Sequence, residues 1–139
     1  PLVRSAVSED IPASERARAH RRAFEILSAE GATDDATTVH ALNAEATGDP
    51  ALVEQLRRTA QRALLTGSPQ TAAVHLGRAI SEPPSESERG LVVAELGRAE
   101  VRAGRFGEGL DHLNQSLDAL TDPGMRMDAH RDRAFAALK

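Results

Sequence analysis

Cysteine, tryptophan and tyrosine are absent from this chain of 139 residues, and phenylalanine occurs three times and lysine once. The missing cysteines exclude disulfides, cysteine-bound zinc and thiol nucleophiles together. The single lysine is Lys139. A P-loop needs Gly-x-x-x-x-Gly-Lys-Ser/Thr, with the lysine on the phosphates, so these residues carry none. No Gly-x-Ser-x-Gly elbow or other hydrolase constellation occurs. No apolar run approaches the roughly 18 residues of a membrane span, and nothing reads as a secretory leader. The net charge of −4, with both signs interspersed, lacks the basic footprint of non-specific nucleic-acid binding. The expectation is a cytoplasmic, non-enzymatic segment. It contacts no nucleic acid or membrane and holds no cofactor or metal of its own.

Alanine, leucine and valine dominate what is present. A core of small and straight-chain residues with few β-branched runs predicts close-packed helices. The punctuation supports them. Pro12 and Ser14 open a helix that Gly31 stops. Thr33 caps a second, with Ala36, Val39 and Leu42 on its apolar side. Asp49-Pro50 and Ser68-Pro69 each place a cap before a proline at the first helical position. Val53, Leu56, Ala60, Ala63 and Leu64 form one helical face, and Ala72, Ala73, Leu76, Ala79 and Ile80 the next. Ser85 with Glu88 reads as a capping box ahead of Val93, Leu96, Ala99 and Ala103. Leu110, Leu113, Leu117 and Leu120 follow. Asp122-Pro123 then opens a last helix with Met125, Ala129 and Phe135. About seven helices are expected after a short N-terminal one, with no strand pattern.

The tetrapeptide Leu-Gly-Arg-Ala occurs twice, at 76–79 and 96–99, which suggests a short repeat. The helix-ending glycines Gly31, Gly67 and Gly104 indicate a longer one, at spacings of 36 and 37 residues. Small residues stand five positions after each: Ala36, Ala72 and Gly109. Nine after stand His40, Leu76 and Leu113; twelve after, Asn43, Ala79 and Ser116. The unit is therefore a helix pair, and the two tetrapeptides fall on different helices of different units. Such a pair buries its apolar faces only by stacking on neighbours.

The stretch "LVVAELGRAEVRAGRFGEGLDHLNQSLDALTDP" resembles a tetratricopeptide repeat (TPR). Leu96-Gly97 matches the family's Leu-Gly pair, Gly104 its inter-helix glycine, and Gly109, Leu113 and Ser116 its second-helix positions. Val93 and Glu100 stand where the family has aromatics. Gly109 replaces the usual alanine, a poorer helix former by about 1 kcal/mol. The unit around Gly67 matches through Ala72, Leu76, Ala79 and Pro84. In the first unit His40 and Asn43 occupy apolar positions.

A second resemblance covers residues 1 to about 104. Pro1-Leu2-Val3-Arg4, Ile11-Pro12, Glu15-Arg16 and His20-Arg21-Arg22 are similar to a junction in large ATP-binding LuxR-type transcriptional regulators. There a winged-helix segment ends and TPR-like helices begin. "RALLTGSPQTAAVHLGRAISEPP" is similar to those regulators' helical arms. The resemblance implies an ATPase before this segment and a helix-turn-helix after it, with ATP as a cofactor of the parent protein only. The start at Pro1 without Met, and the end at Lys139 inside a helical pattern, read as a piece of a longer protein.

Binding residues are expected by carrying over the TPR groove positions. These give Arg18 and Arg21, with Glu25, in the first unit, Arg57 and Gln61 in the second, and Arg98 and Arg102 in the third. An arginine-lined groove suits carboxylates or acidic peptides, because guanidinium binds them bidentately. The other reading is solvated helix faces paired with Glu25, Glu54 and Glu95. Five histidines raise the question of metal. None shows His-x-x-x-His spacing. His75 and His112 occupy equivalent positions on helices about 10 Å apart, too far to share an ion. Asp34-Asp35 and Glu86/Glu88 fall in first helical turns, where negative charge suits the helix dipole.

The expected fold is all-α: TPR-like antiparallel helix pairs stacked in a right-handed superhelix of about seven to eight helices. Residues 1–12 are expected to be a remnant of a preceding segment and 13–139 a TPR-like domain. The expected function is a non-catalytic sensor or scaffold segment of a bacterial LuxR-type regulator, engaging a protein or small-molecule effector or a second copy of itself. The alternative is an independent TPR adaptor for an acidic peptide or partner protein. A small all-helical enzyme is the least favoured class, because no convergent chemical groups occur.

Overall fold

A computed structural model describes residues 11–139. The short N-terminal helix and most of the expected 1–12 remnant fall on residues 1–10, outside the described residues. Among the described residues the fold is all-α, with seven helices: α1 Ala13–Ala29, α2 Asp34–Asn43, α3 Pro50–Leu65, α4 Pro69–Ser81, α5 Glu86–Arg102, α6 Phe106–Ala119 and α7 Pro123–Ala136.

Local chemistry sets the boundaries. The Thr33 hydroxyl accepts from the Ala36 amide, the Asp49 carboxylate from Ala51 and the Asp122 carboxylate from Met125. Each satisfies one amide that a helix start leaves without an intrahelical partner. The capping box expected at Ser85 does not form: the Ser85 side chain makes no cap hydrogen bond, and its hydroxyl donates to the Glu88 carboxylate. The helix-ending glycines Gly31, Gly67 and Gly104 have φ of 74°, 75° and 81°, which only glycine adopts without strain. The residue after each donates to a carbonyl five positions back: Ala32 to Leu27, Ser68 to Ala63 and Arg105 to Glu100. This six-to-one closure is the Schellman stop, and it recurs at the expected period of 36–37 residues.

The chain divides into two compact units, one ending at Glu45 and the other spanning Ala46–Lys139. In the first, α1 packs on α2, with Phe24, Thr37, Ala41 and Ala44 buried. The apolar side expected for α2 is displaced. Val39 is 54% exposed and Ala36 also faces solvent. Thr37 is buried instead, because its hydroxyl donates within its own helix to the Thr33 and Asp34 carbonyls and so satisfies its polarity.

In the second unit each helix packs on the next, and α5 also touches α7. Leu52, Val53, Leu56 and Ala60 of α3 and Ala72, Ala73, Leu76 and Ala79 of α4 are buried, as the apolar spacing predicts. A cluster of Ala94, Val101, Leu113, Leu117, Leu120, Ala129 and Ala136 joins α5, α6 and α7, with Phe106 against its edge. On α7 the buried residues are Ala129 and Ala136, whereas Phe135 is 52% exposed and Met125 is exposed as well.

The α5–α6 seam depends on absent side chains. A Cβ on Gly97 would stand 2.9 Å from Leu113 Cγ and 3.0 Å from the Gly109 carbonyl oxygen. One on Gly109 would stand 2.6 Å from Val101 Cγ2, and one on Gly90 2.8 Å from the Ala119 Cβ. Positions descending α5 meet positions ascending α6, so the two helices run antiparallel at very close approach. The duplicated tetrapeptide is resolved here: Gly97 is packed tight, whereas a Cβ on Gly77 would meet nothing within 4 Å. The same four letters serve unrelated positions.

Candidate functional site

Five of the six candidate groove residues are engaged within the protein. On α3, Arg57 donates from Nε and Nη2 to the two Glu95 oxygens of α5, each at 2.9 Å, and from Nη1 to Glu54 at 2.9 Å. The Glu95 hydrogen bond holds the Arg57 guanidinium above its ordinary pKa, against an opposing effect of burial, with the Glu95, Glu54 and Glu88 charges adding to the rise. Gln61, one turn further along α3, donates to the same Glu95 at 3.4 Å. Arg98 of α5 donates to Asp132 of α7 at 2.6 Å. Both arginines therefore tie one odd-numbered helix to the next.

Gln61, Glu95 and Arg98 line a single depression of about 250 Å³ with Ala60, Leu64 and Leu76. Its polar wall is made of side chains already bonded to one another. Arg102 stands one turn beyond Arg98, exposed, with no ion pair or hydrogen bond to the described residues.

In the first unit, Arg18 pairs with Glu45 at 3.4 Å, and both side chains are exposed. Screening by water makes such a pair weak. Arg21 is buried, and its Nε donates to the Glu45 carbonyl at 3.2 Å. It secures the chain segment after α2.

Three polar constellations escaped the sequence reading. Glu82 is completely buried at the end of α4 and accepts from the Thr47 and Asp49 amides, each at 3.0 Å, and from Arg78 at 2.8 Å. It fixes the segment leading into α3. Glu100, buried on α5, contacts His112 Nδ1 of α6 at 2.6 Å and Arg105 at 3.4 Å. These three side chains edge a depression of about 360 Å³ whose apolar walls include Val74, Ile80 and Leu96. The departure of Glu100 from an aromatic position was the one signal for it. In the first unit, His20 Nδ1 of α1 and His40 Nδ1 of α2 stand 3.0 Å apart. They are twenty residues apart on different helices, which a search for His-x-x-x-His within one helix overlooks.

His75 is buried, which lowers its pKa from the ordinary 6.5, and its Nδ1 has no hydrogen-bond partner among the described residues. His112 instead faces a carboxylate, so the two sequence-equivalent histidines have unlike surroundings. Among the described residues no group of three or more His, Asp or Glu is placed to hold a metal, and no helix is long and apolar enough to cross a membrane. No protein family, curated protein or solved structure matches the chain.

Proposed function

We propose that this chain is a non-catalytic, TPR-like interaction segment of a bacterial, cytoplasmic LuxR-type ATP-dependent transcriptional regulator. The observation that carries the reading is the recurrence of one helix-pair unit. The same glycine stop returns at the same period, and α6 sits on α5 at glycine-to-glycine distance. A stack of such pairs is a rigid scaffold for presenting a surface. The resemblance of the N-terminal junction sequence supports the LuxR-type assignment.

In this reading, an effector or a sister subunit engages the helical segment and shifts the parent protein between two states. Such a shift requires unequal affinity for those states. In the parent protein, loosening the α5–α6 seam with Gly109→Val is expected to abolish effector control while basal ATP turnover persists. Unchanged control in that variant would contradict the reading.

The alternative, an independent adaptor for acidic peptides, is less well supported. Arg57 and Arg98 would have to leave Glu95 and Asp132 before engaging a peptide carboxylate. Of the six candidates, Arg102 alone offers an unengaged guanidinium among the described residues.

A further inference from the structure

We propose that His20 and His40 form a two-histidine site for a late first-row divalent metal ion: Cu²⁺, Ni²⁺ or Zn²⁺. The distance is the first argument. Imidazole nitrogens bind such ions at about 2.0–2.1 Å, so two of them stand about 3.3 Å apart at a tetrahedral angle and about 2.9 Å apart at a right angle. The observed Nδ1–Nδ1 separation is 3.0 Å. The rings are tilted by 47° with centroids 5.1 Å apart, so they converge at their nitrogens and do not stack.

The protonation state is the second. Metals take neutral imidazole. An Nδ1–Nδ1 contact of 3.0 Å is a hydrogen bond only if one ring accepts, so that ring is neutral at Nδ1. Without metal, one Nδ1–H donates to the other Nδ1. On binding, the donating ring moves its proton from Nδ1 to Nε2, so both Nδ1 lone pairs face the ion and no proton is released overall.

Access and field are the third. Among the described residues the pair lines a depression of about 390 Å³ with Ile11, Arg16, Ala19 and Ala23, which leaves room for water to complete the coordination shell. His40 lies in the last turn of α2, where the helix dipole favours a cation. Among the described residues lining it, Arg16 is the one arginine, and its Nη1 donates to the Ile11 carbonyl at 2.6 Å.

The test is calorimetric titration of the whole 139-residue chain with Cu²⁺ and, separately, Ni²⁺, in a buffer that does not chelate. One equivalent is expected to bind. His20→Ala and His40→Ala should each weaken binding by at least about tenfold, as expected when one of two protein ligands is lost. His130→Ala should leave it unchanged. Electron paramagnetic resonance of the Cu²⁺ complex should show coupling to two imidazole nitrogens. That spectrum is taken on the unaltered chain, so a count below two overturns the site even if a variant fails to fold. Affinity equal in all variants, a Kd weaker than about 1 mM, or coupling to fewer than two imidazole nitrogens would overturn the site.

Discussion

Glu82 shows how much of this fold rests on single polar residues. Its carboxylate is inaccessible to water, yet two amides and a guanidinium satisfy it. Removing one partner of a buried ionic network leaves the others unpaired in a low dielectric. Glu82→Ala should therefore destabilise the second unit by about 3 kcal/mol in urea unfolding. His75 is the opposite case, a buried ring whose Nδ1 has no hydrogen-bond partner among the described residues. Its folded pKa lies below 6.5, so the unfolded chain binds the proton more readily. The stabilising contribution is complete above about pH 6.5 and is lost as pH falls through the folded pKa. His20 shifts in the same direction. The melting temperature should fall between pH 7.5 and 5.5. His75→Leu should flatten that fall and leave stability at pH 7.5 equal or higher by about 1 kcal/mol, since it removes a buried unsatisfied atom. An unchanged pH profile in that variant would count against burial as the cause. None of these partners could be read from the sequence. Glu82 lies 33 and 35 positions from the amides it holds, and nothing local marks it.

Helices were far more legible than their contacts. Their starts and stops depend on residues within a turn or two, and Thr33, Asp49, Asp122 and the three period-setting glycines act where the sequence places them. Which face is buried depends on neighbours, and α2 shows the limit: Thr37 displaces Val39 because the threonine satisfies its hydroxyl locally. Gly109 shows another. By helix propensity it is a defect, yet the α5–α6 seam has no room for a Cβ there. Gly109→Ala and Gly97→Ala should each cost about 1–3 kcal/mol through overpacking, despite alanine's better propensity. Gly77→Ala and Gly107→Ala meet no neighbours and should gain about 0.5–1 kcal/mol. Denaturant midpoints of the four variants check both signs at once. If all four shift alike, the seam is not as close as described.

At the scale of the whole chain, the helix-pair period was legible because the stop signal is repeated, and within the second unit the α3–α4 pair packs on the α5–α6 pair. The candidate groove was less so. Its positions were carried across by resemblance, and the sequence does not say that Arg57 would meet Glu95 or Arg98 meet Asp132, at separations of 38 and 34 residues. These arginines join helices, and Arg57→Ala should lower stability more than Arg102→Ala, which should stay within about 0.5 kcal/mol of the parent chain. The proposed role depends on what accompanies this segment in its gene. The most direct measurement is therefore the sequence of the reading frame on both sides of residues 1–139. The account predicts a Gly-x-x-x-x-Gly-Lys-Ser/Thr ATPase upstream and a helix-turn-helix downstream. A frame encoding neither would contradict it.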